Sequence, residues 1–133
     1  MKKPIWILVV DDHQSVRELI RNALDRENYT VRVAANGLEA LDALASNAKI
    51  ACIVTDVVMP KMDGITVAMK LHDARPTLPI VIISGRIGLE AASIQALAIL
   101  MNSSTSCSLQ KPFSSAQLLV AVPQALVRAC DEI

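Results

Sequence analysis

Asp11, Asp12, Asp56, Ser84 and Lys111 are the residues of this chain whose types and positions could do chemistry together. Asp56 closes the apolar run Ile50-Ala51-Cys52-Ile53-Val54-Thr55 and is followed by Val57-Val58-Met59-Pro60-Lys61-Met62-Asp63-Gly64. An apolar run that ends in a charge and then meets Pro and Gly reads as a buried strand delivering a carboxylate to a surface crevice. Ile5-Trp6-Ile7-Leu8-Val9-Val10 runs into Asp11-Asp12 in the same way, and Ile80-Val81-Ile82-Ile83 stops at Ser84-Gly85. Near the other end, Gln110-Lys111-Pro112-Phe113 offers a cation beside a proline. Carboxylates held close together repel one another, and a bound cation relieves that repulsion. Oxygen ligands with room for waters suit Mg2+. Beside such an ion Asp56 can act as a nucleophile toward phosphorus, giving an aspartyl phosphate. Lys111 can then pair with one phosphoryl oxygen while the Ser84 hydroxyl bonds another.

These residues are far apart in sequence, so the elements that carry them must bring them together. At 133 residues the chain reads as one domain, 1–133, long enough to bury roughly two thirds of its unfolded surface. Hydrophobic residues make up 53% but aromatics only 2%, so the core must be aliphatic, as in parallel strands covered by helices on both faces. Helix signals lie between the strands. Ser15 and Glu18 have capping-box spacing, with Val16, Leu19, Ile20, Ala23 and Leu24 at helical intervals after Ser15. Thr30 to Ala34 alternates as a second strand, Asn36-Gly37 turns, and Leu38, Leu41 and Leu44 mark a second helix. Ile65, Ala68, Met69 and Leu71 give a third helix and Glu90 to Met101 a fourth. A weak fifth strand, Cys107 to Gln110, precedes a last helix capped by Ser114 or Ser115, in which Pro123 predicts a kink or split near Leu119 to Val122. Gly37 and Gly64 read as positions needing positive φ. Alternating strands and helices imply an open parallel sheet whose functional crevice lies at the carboxyl ends of the strands.

Composition also excludes function classes. With 13 basic and 13 acidic residues there is no electrostatic footprint for nucleic acid or an anionic membrane. The apolar run after Met1-Lys2-Lys3-Pro4 is too short for an export signal, and nothing approaches the roughly 18–20 apolar residues of a membrane span, so a cytoplasmic protein is expected. Cys52, Cys107 and Cys130 lack metal-ligand spacing, and Cys52 reads as a small core hydrophobe. His13 reads as a solvent-facing loop residue.

Five pieces, in order, carry a resemblance: Val9-Val10-Asp11-Asp12-His13, Asn36-Gly37-Leu38-Glu39-Ala40-Leu41, Asp56 through Gly64, Ile82-Ile83-Ser84-Gly85 and Lys111-Pro112-Phe113. The chain closely resembles the receiver (response regulator) domains of two-component signalling, the CheY-like kind. That resemblance implies an α/β, flavodoxin-like, doubly wound five-stranded parallel sheet of order 2-1-3-4-5 with five helices. It implies Asp56 as phosphoacceptor, Asp12 as direct Mg2+ ligand, Asp11 acting mainly through a metal-bound water, and the Val58 carbonyl as a further ligand beside Asp56. Ser84 takes the place of the family's switch Ser/Thr and Lys111 that of its lysine, with a cis peptide before Pro112. The implied phosphodonor is a sensor histidine kinase or a histidine phosphotransfer protein, and the implied output is contact with a downstream protein.

Two departures bear on that output. Ser108 stands three residues before Lys111, where the family usually has Tyr or Phe, and Asn102 to Ser106 lacks the usual Gly-Ala pair. Signal transmission then has to run through backbone movement. Two other classes remain: a pseudo-receiver that only binds partners, and a Mg2+-dependent phosphohydrolase of the haloacid dehalogenase type. The second needs an aspartate two residues after its nucleophile, where this chain has Val58. With no output domain after the last helix, a stand-alone receiver is expected.

Overall fold

Unbroken apolar strands need cover on both faces, and among the described residues two pairs of helices supply it. The computed structural model describes residues 4–56, 58–59, 62–75, 78–84, 106–110 and 114–131. Among them the order is β1 (Trp6–Val10), α1 (Gln14–Arg26), β2 (Thr30–Ala34), α2 (Gly37–Ser46), β3 (Ile50–Asp56), β4 (Val58–Met59), β5 (Met62–Asp63), α3 (Gly64–Ala74), β6 (Ile80–Ser84), β7 (Ser106–Gln110) and α4 (Ser115–Asp131). The main sheet has the order β2-β1-β3-β6-β7 with every pairing parallel. Counting only its strands, that is the expected 2-1-3-4-5 arrangement. The helix expected over Glu90 to Met101 lies outside the described residues, as does Lys111-Pro112.

Side chains of β1, β3 and β6 alternate between two cores. Leu8 and Val10 of β1, Ile53 of β3, and Ile80 and Ile82 of β6 join Ala40, Ala43 and Leu44 of α2 and Ala68 and Leu71 of α3. Ile7, Val9, Cys52, Val54, Val81 and Ile83 face the other way, toward Ile20, Ala23 and Leu24 of α1 and Leu118, Ala121, Val122 and Ala125 of α4. Cys52 is fully buried, as its mid-strand position predicts.

Local expectations fare unevenly. Helix α1 starts at Gln14 with His13 as its N-cap, so Ser15 is already helical and no capping box forms there; Gln14 Nε2 instead donates to Glu18 Oε1 at 3.1 Å. Reciprocal N-terminal caps form elsewhere, and among the described residues only the one at Ser114 is a full box. Asn36 Oδ1 accepts from the Glu39 N–H at 2.9 Å while Asn36 Nδ2 donates to Glu39 Oε2, and Ser114 Oγ accepts from the Gln117 N–H while Gln117 Oε1 accepts from Ser114 N–H. Asn28, in the left-handed region at φ 67°, ends α1. Gly37 is needed for proximity, not for positive φ: a Cβ there would stand 2.6 Å from Val67 Cγ2 of α3. Helix α4 is one continuous element through Pro123 rather than two. Leu118, Ala121, Val122 and Ala125, on both sides of the proline, bury one shared face that outweighs the lost backbone bond.

Candidate functional site

Strand register builds the acidic rim. Val10 pairs with Thr55 in the β1–β3 ladder, so Asp11 and Asp56 are the next residues along two adjacent strands, and both are fully buried. This edge is also where the sheet order reverses, between strands leading to helices on opposite faces. Asp12 follows with its side chain 12% exposed. Asp56 pairs with Ile83 in the β3–β6 ladder, which puts the backbone of Ser84, the last residue of β6, one step beyond. The side chain of Ser84 and all of Lys111 fall outside the described residues. Val58 begins a short antiparallel hairpin, Val58 opposite Asp63 and Met59 opposite Met62, where the sequence reads only as a loop.

The loop from Asp11 to His13 is held at several points. Asp11 N–H donates to Ala34 O at 3.2 Å, extending the β1–β2 ladder by one step. Asp11 Oδ1 accepts from the His13 N–H at 2.8 Å, an Asx turn that leads the chain into α1. The Arg17 guanidinium donates to Asp11 O at 2.8 Å. These three bonds occupy the backbone N–H, the carbonyl and one carboxylate oxygen of the same residue.

His13 is exposed in the loop, as expected, but it also reaches the acidic pair. Its side chain is about half exposed, yet its Nδ1 lies 2.9 Å from Asp12 Oδ1 and 3.3 Å from Asp11 Oδ1. Asp11, Asp12 and His13 thus form a cluster that could hold a metal ion. Sequence spacing could not reveal this, because the position right after two strand-end aspartates can turn toward them or toward water. Arg17 was missed for a similar reason. A helical Arg on a half-buried face reads as surface charge, and only its reach to a carbonyl six residues earlier ties it to the site.

Two buried carboxylates side by side cost free energy unless a cation or hydrogen bonds offset it. The hard carboxylate oxygens of Asp11 and Asp12, rather than the imidazole nitrogen, are the donors that fit Mg2+ bound with water. Among the described residues no helix is long and apolar enough to cross a membrane.

A parallel sheet of order 2-1-3-4-5 with an acidic cluster at the carboxyl edge of its first and third strands defines a receiver. Residues 7–123 match the response regulator receiver domain, and the chain belongs to that family. It is 37% identical over 125 residues to the response regulator MprA of Mycobacterium sp. strain KMS, a match covering 94% of this chain and 51% of the relative. The chain therefore spans about half the length of the curated relatives it matches. A response regulator receiver protein from Sinorhizobium medicae WSM419 superposes with TM-score 0.77 at 34% identity, covering 96% of this chain and 98% of that one. A CheY-like receiver domain from Methanospirillum hungatei JF-1 gives TM-score 0.83 at 23% identity, covering 98% and 100%, a likeness of fold. Receiver domains are signalling domains that generally bind Mg2+ at an acidic pocket, and response regulators receive their signals from histidine kinases.

Proposed function

We propose that residues 1–133 form a single receiver domain that takes a phosphoryl group onto Asp56 and signals through protein contacts. The observation that carries this reading is the adjacency of two fully buried carboxylates, Asp11 and Asp56, at one edge of the sheet. The donor is a phosphohistidine on a sensor histidine kinase or histidine phosphotransfer protein in the cytoplasm. An Asp56 carboxylate oxygen forms the new bond to phosphorus as the phosphorus–nitrogen bond breaks, and the electron pair stays on the donor imidazole, which picks up a proton. Asp12, Asp11, Asp56 and the Val58 carbonyl are the groups that would hold Mg2+, which when bound offsets negative charge on the phosphoryl oxygens. Lys111 pairs with a phosphoryl oxygen and the Ser84 hydroxyl donates to another. Val58, two residues after Asp56, cannot serve as the second carboxylate of a phosphohydrolase, so turnover is confined to the domain's own acyl phosphate. Balanced charge leaves the output of this chain to protein partners rather than to direct contact with nucleic acid.

Incubation with acetyl phosphate and Mg2+, followed by borohydride reduction and peptide mass analysis, will place one phosphoryl group per chain on Asp56. Label on any other carboxylate defeats the assignment. A chain that takes no label from acetyl phosphate or from a phosphohistidine donor is a binding module instead.

The metal is tested separately. Asp12→Ala removes a carboxylate that the rim offers to a cation, and Mg2+ affinity will fall at least about tenfold. Calorimetric titration is the suitable measurement, because Trp6 sits five residues before Asp11 on β1, ~17 Å from the acidic edge. An unchanged dissociation constant would remove Asp12 from the metal site.

A further inference from the structure

We propose that Arg17 is a positioning residue for the acidic pair, acting through the peptide that joins Asp11 to Asp12; the inference rests on the phosphoacceptor reading above for its functional consequence. Arg17 lies in the first turns of α1 and is half-buried. It contacts both ends of the three-residue loop between β1 and α1. Its backbone N–H donates to His13 O at 3.0 Å, and its Nη1 donates to Asp11 O at 2.8 Å. The Asp11 carbonyl and the Asp12 N–H belong to one planar peptide group. Holding that carbonyl therefore restrains the tilt of the peptide plane, and with it ψ of Asp11 and φ of Asp12, the backbone torsions between the two Cα atoms that carry the carboxylates.

The remaining bonds of the loop do not do this alone. Asp11 N–H to Ala34 O anchors the near side of Asp11, and His13 N–H to Asp11 Oδ1 closes the Asx turn across the loop. Neither bond touches the carbonyl of the linking peptide. A carboxylate pair already aimed at a common point loses less conformational freedom when it binds an ion, so removing the tether weakens the ion's affinity even when the protein stays folded.

Electrostatics alone predicts the opposite sign. A guanidinium this close to a cation site repels the incoming ion, and deleting it would tighten binding. The direction of the change thus separates positioning from charge. Arg17→Met keeps most of the apolar stem while losing the donor and the charge, and Arg17→Lys keeps the charge and one donor.

The test measures Mg2+ dissociation constants by calorimetry for wild type, Arg17→Met, Arg17→Gln and Arg17→Lys, each first shown folded by its thermal transition. Arg17→Met and Arg17→Gln are expected to bind Mg2+ about tenfold more weakly, with Arg17→Lys near wild type. Acetyl phosphate labelling of Asp56 will slow by the same factor at low Mg2+ and recover at saturating Mg2+. In parallel, amide hydrogen exchange at His13 in metal-free protein will be faster in Arg17→Met, a readout independent of phosphorylation. Unchanged or tighter Mg2+ binding in Arg17→Met, with wild type binding normally, overturns the inference and leaves the phosphoacceptor reading intact. If wild type binds no Mg2+ yet His13 exchange rises in the variant, the metal reading fails and the tether stands. Unchanged exchange at His13 overturns the tether in either case.

Discussion

Asp56→Asn will take up no phosphoryl group and, without metal, will be more stable than wild type by about 1–3 kcal/mol. The first result follows because an amide is not a nucleophile toward phosphorus at neutral pH. The second follows from the packing. Asp56 and Asp11 are both fully buried and adjacent across the β1–β3 ladder, so two negative charges share a low-dielectric edge. Asparagine keeps the shape and the oxygen acceptor while removing one charge. The same change weakens the pull on a cation. Mg2+ at a hundredfold excess over its dissociation constant would stabilise wild type by about 2.7 kcal/mol, and the variant at the same concentration by less. Chemical denaturation with and without Mg2+, alongside intact-mass measurement after acetyl phosphate treatment, gives all three quantities. A variant less stable than wild type in the absence of metal would mean that the buried charge is already fully compensated by its neighbours.

The carboxylates at this edge were legible in sequence because strands announce themselves twice. Apolar runs such as Ile7 to Val10 and Cys52 to Thr55 show that both faces are covered, and the first charge after each run marks where the strand meets water. Register then needs only one further step, and Val10 opposite Thr55 supplies it. What escaped the sequence depends on side-chain reach rather than on pattern. The Ser15–Glu18 spacing matches a capping box, but the helix starts two residues earlier, with His13 rather than Ser15 as its N-cap, because the Asx turn at Asp11 fixes the chain direction at His13. Leu38 has the spacing of a core residue yet is 74% exposed, since Ala40, Ala43 and Leu44 already fill the face that α2 turns to the sheet. Gly37 looks like a turn residue and serves instead to let Val67 approach. Helical periodicity carries no information about which neighbouring helix comes close.

The largest expected loss of stability comes from a residue with no part in the acidic edge. Arg75, just after α3, donates through Nη2 to Leu44 O at 2.6 Å and to Asn47 O at 2.9 Å, and through Nη1 to Ile50 O at 3.3 Å. Leu44 lies in the last turn of α2, where carbonyls have no partner within the helix, and Asn47 caps that helix in an extended conformation. One guanidinium thus satisfies the end of α2, its cap and the first residue of β3, and its charge also complements the negative end of the helix dipole. Charge-assisted bonds to carbonyls are each worth about 1.5–3 kcal/mol, and they share one donor group here, so Arg75→Ala should cost about 3 kcal/mol. Arg75→Lys keeps the charge but cannot fork across three acceptors, and will recover only part of the loss. Ile50 begins β3 and Asp56 ends it, so the clamp lies ~20 Å from the acidic edge. Mg2+ affinity and Asp56 labelling should therefore be unchanged in Arg75→Ala under conditions where it is folded. Urea denaturation of the three proteins measures the loss directly. A difference below about 1 kcal/mol would show that water replaces the guanidinium at these carbonyls at little cost.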